Sequence, residues 1–237
     1  AVNNLNITVS SSEIYGFLGP NGAGKTTTIK ILVGLLKPTS GTALINGIDV
    51  IKDPLKTKTL IGYIPDEPLI YPKLTGREFL SFIADIFEIP LNYAKIKIND
   101  LLDLFSLTDR SNTLIETYSH GMKQKLVFSA ALLHDPEVLI MDEPTVGLDP
   151  QSAKLVKDII RELANKGKTI FMSTHILEIA EKMCSRVGII NKGTSIAEET
   201  INDLREKTHD EAGDLEKLFI ELTGGEDTKE LIKSLSS

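Results

Sequence analysis

Apolar and polar positions recur along this chain with two periods, and the change from one to the other divides it into segments. Near the start, Leu5, Ile7 and Val9 alternate with polar neighbours and Ile14–Leu18 is an apolar run. This predicts strands over Val2–Val9 and Ile14–Leu18, joined by the polar turn Ser10–Glu13. The period then lengthens: Ile29, Leu32, Val33 and Leu36 mark one face of a helix over Lys25–Leu36, stopped by Lys37-Pro38-Thr39-Ser40-Gly41. Short strands are predicted at Thr42–Asn46 and Ile61–Ile64. Helical texture follows at Gly76–Glu88, Asn92–Phe105 and Ser119–His134, with Pro65, Pro68, Pro72 and Pro90 punctuating the change. Val138–Met141 is apolar throughout, as a parallel strand buried on both faces must be. Beyond it come an amphipathic helix over Pro150–Asn165 with Leu155, Ile159 and Leu163 on its stripe, and Gly167, which ends it. The strands Thr169–Thr174 and Val187–Asn191 then flank a short helix, Ile176–Met183.

Strands alternating with helices predict an α/β architecture whose sheet is covered on both faces. The expected organisation is a core made of residues 1–67 and 135–199, an inserted helical subdomain at 68–134, and a charged, helix-prone C-terminal extension at 200–237. Hydrophobic residues at 41% and charged ones at 25% are ordinary for a globular protein and speak against disorder. No apolar run reaches the roughly 18–20 residues of a bilayer span. A net charge of −7 argues against broad binding to nucleic acid. The lone Cys184 and the lack of a signal-like start favour a reducing compartment, the cytosol. The chain opens on Ala1 and enters almost at once into strand-like alternation, so a natural beginning is expected to lie upstream.

Chemistry concentrates at the strand ends. Gly19-Pro20-Asn21-Gly22-Ala23-Gly24-Lys25-Thr26 fits G-x-x-x-x-G-K-[ST] and lies between a strand and a helix, where backbone N–H groups and the helix dipole both favour a phosphate. Lys25 is the group that would reach β- and γ-phosphates, and the Thr26 hydroxyl would ligate Mg²⁺. The competing reading is a glycine-rich turn with a solvated lysine. Asp142 and Glu143 stand at the end of Val138–Met141, suited to hold Mg²⁺ and to orient an attacking water respectively; capping the next turn is the plainer alternative.

Two further segments make the pattern specific. Tyr118-Ser119-His120-Gly121-Met122-Lys123-Gln124 precedes Val138-Leu139-Ile140-Met141-Asp142-Glu143-Pro144-Thr145-Val146-Gly147-Leu148-Asp149, and His175 follows the strand ending in Ser173-Thr174. Together with the glycine loop, these resemble the nucleotide-binding subunit of an ATP-binding cassette (ABC) transporter, in the family's order and over most of the chain to about Ala197. The resemblance implies a P-loop NTPase fold with a mostly parallel central sheet, a peripheral antiparallel β portion and an inserted helical subdomain. It also implies ATP and Mg²⁺ as cofactors and ATP hydrolysis as the activity.

The resemblance assigns roles residue by residue. Gly19 to Thr27 would bind the nucleotide, with Lys25, Glu143 and His175 catalytic. Thr26, Asp142 and Asp66 would hold the metal. Ser119 and Gly121 would meet the γ-phosphate of a second copy, with Asp149 communicating between the two sites; Ser119 and Asp149 also suit helix N-caps. There are departures from the family pattern: His120 stands for a glycine, Met122 for a glutamine, and Asp66 for a glutamine that reaches the metal. Leu69, Ile70, Tyr71 and Leu74 form an apolar patch that would help receive a transmembrane permease or else serve as core. Tyr15 is read as core, and the family's adenine-stacking aromatic would lie upstream of the first strand.

The implied partners are a permease subunit and a homodimeric or pseudo-symmetric second cassette, with membrane contact only through the permease at the cytoplasmic face. The pattern looks most like bacterial subunits serving a separate exporter-type permease. Rival readings are a non-transport ATPase of the same superfamily, acting on ribosomes or DNA, and a regulatory ATP-binding module with little turnover.

Overall fold

The computed structural model describes residues 2–207 together with Phe219 and Thr223. Its elements in chain order are β1 (Ile14–Leu18), α1 (Lys25–Leu32), β2 (Leu44–Ile45), β3 (Ile48–Asp49), α2 (Pro54–Leu60) and β4 (Ile61–Ile64). Then come α3 (Gly76–Ile86), α4 (Leu91–Leu104), α5 (His120–Leu132), β5 (Val138–Asp142), α6 (Pro150–Asn165) and β6 (Thr169–Thr174). The described part closes with α7 (Leu177–Met183), β7 (Arg186–Asn191), β8 (Thr194–Thr200) and α8 (Ile201–Lys207).

A six-stranded sheet in the order β4-β5-β6-β1-β7-β8 forms the centre, with only β8 antiparallel to its neighbour, and β2 and β3 make a separate antiparallel pair. Period-two alternation sorts the strand residues into two cores. Leu18, Leu139, Met141, Ile170 and Met172 pack on the face shared with α3–α6. Tyr15, Phe17, Val138, Ile140 and Phe171 pack on the other face with Ile29 and Val33 of α1. Both faces being buried is why β5 is apolar from its first residue to its fourth. Tyr15 is core as expected, fully buried with its ring stacked 5.6 Å from Phe171.

Strand register positions the chemistry. Leu18 pairs with Thr174, Asp142 with Ser173 and Ile64 with Met141, so the carboxyl ends of β1, β6, β5 and β4 finish nearly level. The glycine loop, His175, Glu143 and Asp66 therefore all leave the sheet at one edge, where ligands of open parallel sheets sit.

Several expected elements differ in the structure. Val2–Val9 has no ladder, although Leu5, Ile7 and Val9 do turn half-buried sides to the core; alternation fixes which face is covered, but a strand also needs a hydrogen-bonding neighbour. Thr42–Asn46 shrinks to Leu44–Ile45. Helix α1 stops at Leu32 instead of Leu36, because Gly34 adopts φ 71° and the N–H groups of Leu35 and Leu36 return to the Lys30 carbonyl, leaving both leucines exposed. The stripe of α6 is centred on fully buried Val156 and Ile160, with Leu155, Ile159 and Leu163 half-buried beside it. Helix α2 and strand β8 carry no counterpart among the sequence expectations. Of the extension at 200–237, α8 is helical and Phe219 packs on the larger core; the rest of that expectation lies outside the described residues.

Candidate functional site

The turn after β1 leads directly into α1, whose N-cap Gly24 has φ 114° and offers no side-chain acceptor to the first helical N–H groups. Those donors and the positive end of the helix dipole face the loop, as an anion site requires. Lys25 is buried, its ammonium donating to the Gly19 carbonyl at 2.7 Å and the Pro20 carbonyl at 3.4 Å. The same nitrogen lies 3.5 Å from Glu143 Oε1. Thr26 is exposed at the helix start and Thr27 half-buried beside it.

Asp142 ends β5 almost fully buried, with one carboxylate oxygen accepting from the Ser173 hydroxyl of β6. Glu143 departs from the strand with φ 49°, a left-handed conformation costing on the order of 1–3 kcal/mol in a residue other than glycine. Its N–H is held by the Ser173 hydroxyl at 3.2 Å, and its Oε1 lies 2.9 Å from His175 Nδ1. Lys25, Glu143 and His175 thus meet on a single carboxylate oxygen. Ser173 is a positioning residue that the sequence did not single out. The signal would have been its register opposite Asp142, which only the folded sheet supplies.

The remaining oxygens, Asp142 Oδ2 and Glu143 Oε2, are buried without a hydrogen-bond partner among the described residues. A buried carboxylate oxygen left unpaired is costly, so these two atoms suit a cation and a bound water. Asp66 faces the same place. Loss of water raises its carboxyl above the ordinary value, and the charges of Asp142, Glu143 and Glu67 add to the rise against the opposing His120. Burial and the charges of Asp142 and Asp66 likewise push the Tyr63 hydroxyl up to about 12. Among the described residues no group of three or more His, Cys, Asp or Glu side chains converges as a complete metal cage.

The other expected site residues sit apart from this cluster. Ser119 caps α5, its hydroxyl accepting from Met122 N at 3.3 Å, with half-buried Gly121 in the first turn. No hydrogen bond or ion pair joins either residue to residues 19–27 of the same chain. Asp149 caps α6, accepting from Ser152 N at 3.0 Å and from the Ser152 hydroxyl. These hydrogen bonds hold the Asp149 carboxyl below its ordinary value. A lowered folded value means that this group's contribution to stability is present above the unfolded value near 3.9 and lost as pH falls through the folded one. We therefore expect urea midpoints of wild type to drop as pH falls below about 4, and Asp149→Asn to flatten part of that drop.

The apolar patch near Asp66 splits: Ile70 and Leu74 pack half-buried on the core, whereas Leu69 and Tyr71 are exposed. Beside them is a groove of about 430 Å³ lined by Glu67, Pro68, Ile70, Pro72, His120 and Lys123.

The family model for ABC transporters matches residues 2–146. The chain belongs to the ABC transporter family. The match spans the phosphate loop, Ser119, Gly121, Asp142 and Glu143 of this ABC cassette, while Asp149 and His175 lie beyond it. Similar ABC proteins include the linearmycin resistance ATP-binding protein LnrL of Bacillus subtilis (strain 168), 40% identical over 203 residues, 86% of this chain and 65% of LnrL. The bacitracin transport ATP-binding protein BcrA of Bacillus licheniformis is 43% identical over 208 residues, 87% of this chain and 67% of BcrA. The chain thus spans about two thirds of the length of these relatives. Among solved structures, an ATP-binding subunit of an ABC transporter superposes with a TM-score of 0.87 at 34% identity, covering 94% of this chain and 92% of that one. In the described part of this ABC cassette no helix is long and apolar enough to cross a membrane.

Proposed function

We propose that this cassette binds MgATP in a cleft completed by a second copy and hydrolyses it to energise a separate transmembrane permease. The observation that carries the reading is the convergence of Lys25 and His175 on half-buried Glu143, whose buried Oε2 has no partner among the described residues, at the level edge where the phosphate loop also leaves the sheet. The units doing this are a core of residues 1–67 and 135–199 and an inserted helical subdomain at 68–134 that carries the signature; the extension at 200–237 is assigned no part in it.

In this reading Gly19 to Thr27 wraps the phosphates with backbone N–H groups, and Lys25 balances the charge that builds on the β- and γ-phosphoryl oxygens. Thr26, Asp142 and Asp66 would hold Mg²⁺, which when bound would further neutralise phosphate charge. Glu143 orients a water whose oxygen bonds to the γ-phosphorus as the bond to the β–γ bridging oxygen breaks, leaving ADP and phosphate. His175 holds the Glu143 carboxylate in place and contacts the γ-phosphate. Ser119 and Gly121 of a second copy close over that phosphate from α5, and Asp149 lies at the junction of the two sites. ATP binding draws two copies together and hydrolysis lets them part.

The permease docks at the groove beside exposed Leu69 and Tyr71, holding the cassette at the cytoplasmic face of the membrane without direct lipid contact. The relatives named for linearmycin resistance and bacitracin transport favour an export-type permease. A tagged copy recovered from native membranes should bring down a multispanning membrane protein. Recovery with ribosomes and no membrane protein would overturn the transport role.

A further inference from the structure

The signature helix departs from the family pattern at His120, where the family has glycine, and the fold shows where that extra ring goes. His120 is the first residue of α5, between Ser119 and Gly121, and its imidazole rests on Gly147 in the loop from Glu143 to Asp149. The fit is close. A Cβ built on Gly147 would lie 2.6 Å from His120 Cδ2 and 2.7 Å from Nε2, nearer than carbon atoms pack. Gly147 also takes φ 75°, a conformation that glycine adopts freely and other residues rarely do. The ring and the missing side chain are complementary, as a knob is to a hole.

The two elements joined by this contact serve different ATP molecules. Helix α5 presents Ser119 and Gly121, which act on the nucleotide of a second copy, whereas the loop begins at Glu143, which acts on the chain's own. Gly121 and Asp149 reinforce the junction. A Cβ on Gly121 would stand 3.8 Å from the Gly147 carbonyl oxygen, and the Lys125 ammonium of α5 contributes to holding the Asp149 carboxyl ionised.

We propose that His120 is a positioning residue that ties the signature turn to the catalytic loop, so that the half-site lent to the partner and the chain's own Glu143 move as one body. The proposal rests on the composite-site reading above. In its terms, a copy whose signature has closed on its partner's phosphate holds its own water-orienting carboxylate in register. Without the ring, α5 and the loop shift independently and each closure leaves one site misaligned. Rate depends steeply on such alignment, while the affinity of a single chain for ATP, set by Gly19 to Thr27, does not.

The experiment uses the full chain with MgATP and measures kcat, single-chain ATP affinity and melting temperature together. His120→Ala keeps a good helix former and removes the ring; we expect kcat to fall about tenfold with ATP affinity within about twofold of wild type. His120→Phe restores a flat ring over Gly147 and should return most of the rate. Gly147→Ala fills the hole and should lower kcat at least as far as His120→Ala does, since the φ 75° backbone adds strain of its own. Unchanged kcat in His120→Ala, or failure of His120→Phe to restore it, would each overturn the proposal. Sedimentation of Glu143→Gln with ATP separates the two levels of argument. If no dimer forms, the composite-site reading fails and this proposal falls with it; if the dimer forms and His120→Ala turns over normally, this proposal alone fails.

Discussion

Replacing Glu143 with Gln is expected to lower ATP turnover by about 10²–10⁴-fold while ATP still binds. Gln keeps the shape and the hydrogen bond available to His175 Nδ1, which now lies 2.9 Å from the carboxylate, so the loop after β5 need not move. What disappears is the negative charge that orients water, in a place where the second oxygen has no other partner among the described residues. With hydrolysis blocked, the step that separates two copies is blocked as well. Sedimentation in the presence of ATP should therefore reveal a dimer that the wild-type chain populates only transiently. Wild-type turnover in this variant would remove Glu143 from the chemistry.

Lys25→Ala should act on binding instead. Removing one member of a buried charged pair costs about 2–5 kcal/mol, which is roughly thirty- to several-thousand-fold in Kd. Two losses contribute: the phosphate loses its cation, and half-buried Glu143, 3.5 Å away, is left beside buried Asp142 without the Lys25 charge. The second loss acts on the folded chain before any nucleotide arrives. Melting temperature should fall modestly together with the affinity measured by calorimetry. Unchanged affinity and turnover would mean that Gly19–Thr26 is only a turn.

How far the sequence could be read depended on whether a feature was local. The glycine loop, the caps at Ser119 and Asp149 and the buried run of β5 are written in consecutive residues, and each sits in the structure where it was expected. Features set by pairing were not legible. Val2–Val9 carries strand-like alternation but has no ladder, and Thr194–Thr200 alternates poorly yet forms β8 because Arg186–Asn191 supplies an edge. Ser173 and the packing of His120 on Gly147 are invisible for the same reason. One depends on which residue of β6 faces Asp142, the other on how close a helix approaches a loop twenty-seven residues downstream. Helix α3, expected over Gly76–Glu88 and found at Gly76–Ile86, has a local signal of the same kind in the reciprocal cap of Thr75 and Glu78, four residues of sequence that mark its start.

The level ends of β1, β4, β5 and β6 also decide where the molecule tolerates engineering. One residue inserted within β5 would carry Asp142 about 3.3 Å past its neighbours and turn it to the other side of the sheet. The opposite ends of these strands carry no such restriction. There the turns before β5 and β6 meet through Lys168, whose ammonium bonds the Asp135 carbonyl at 3.2 Å, far along the strands from every reacting group. Fluorophores, fused reporters or new chain termini belong at 135–137 and 166–168, where a change of length leaves the nucleotide edge untouched.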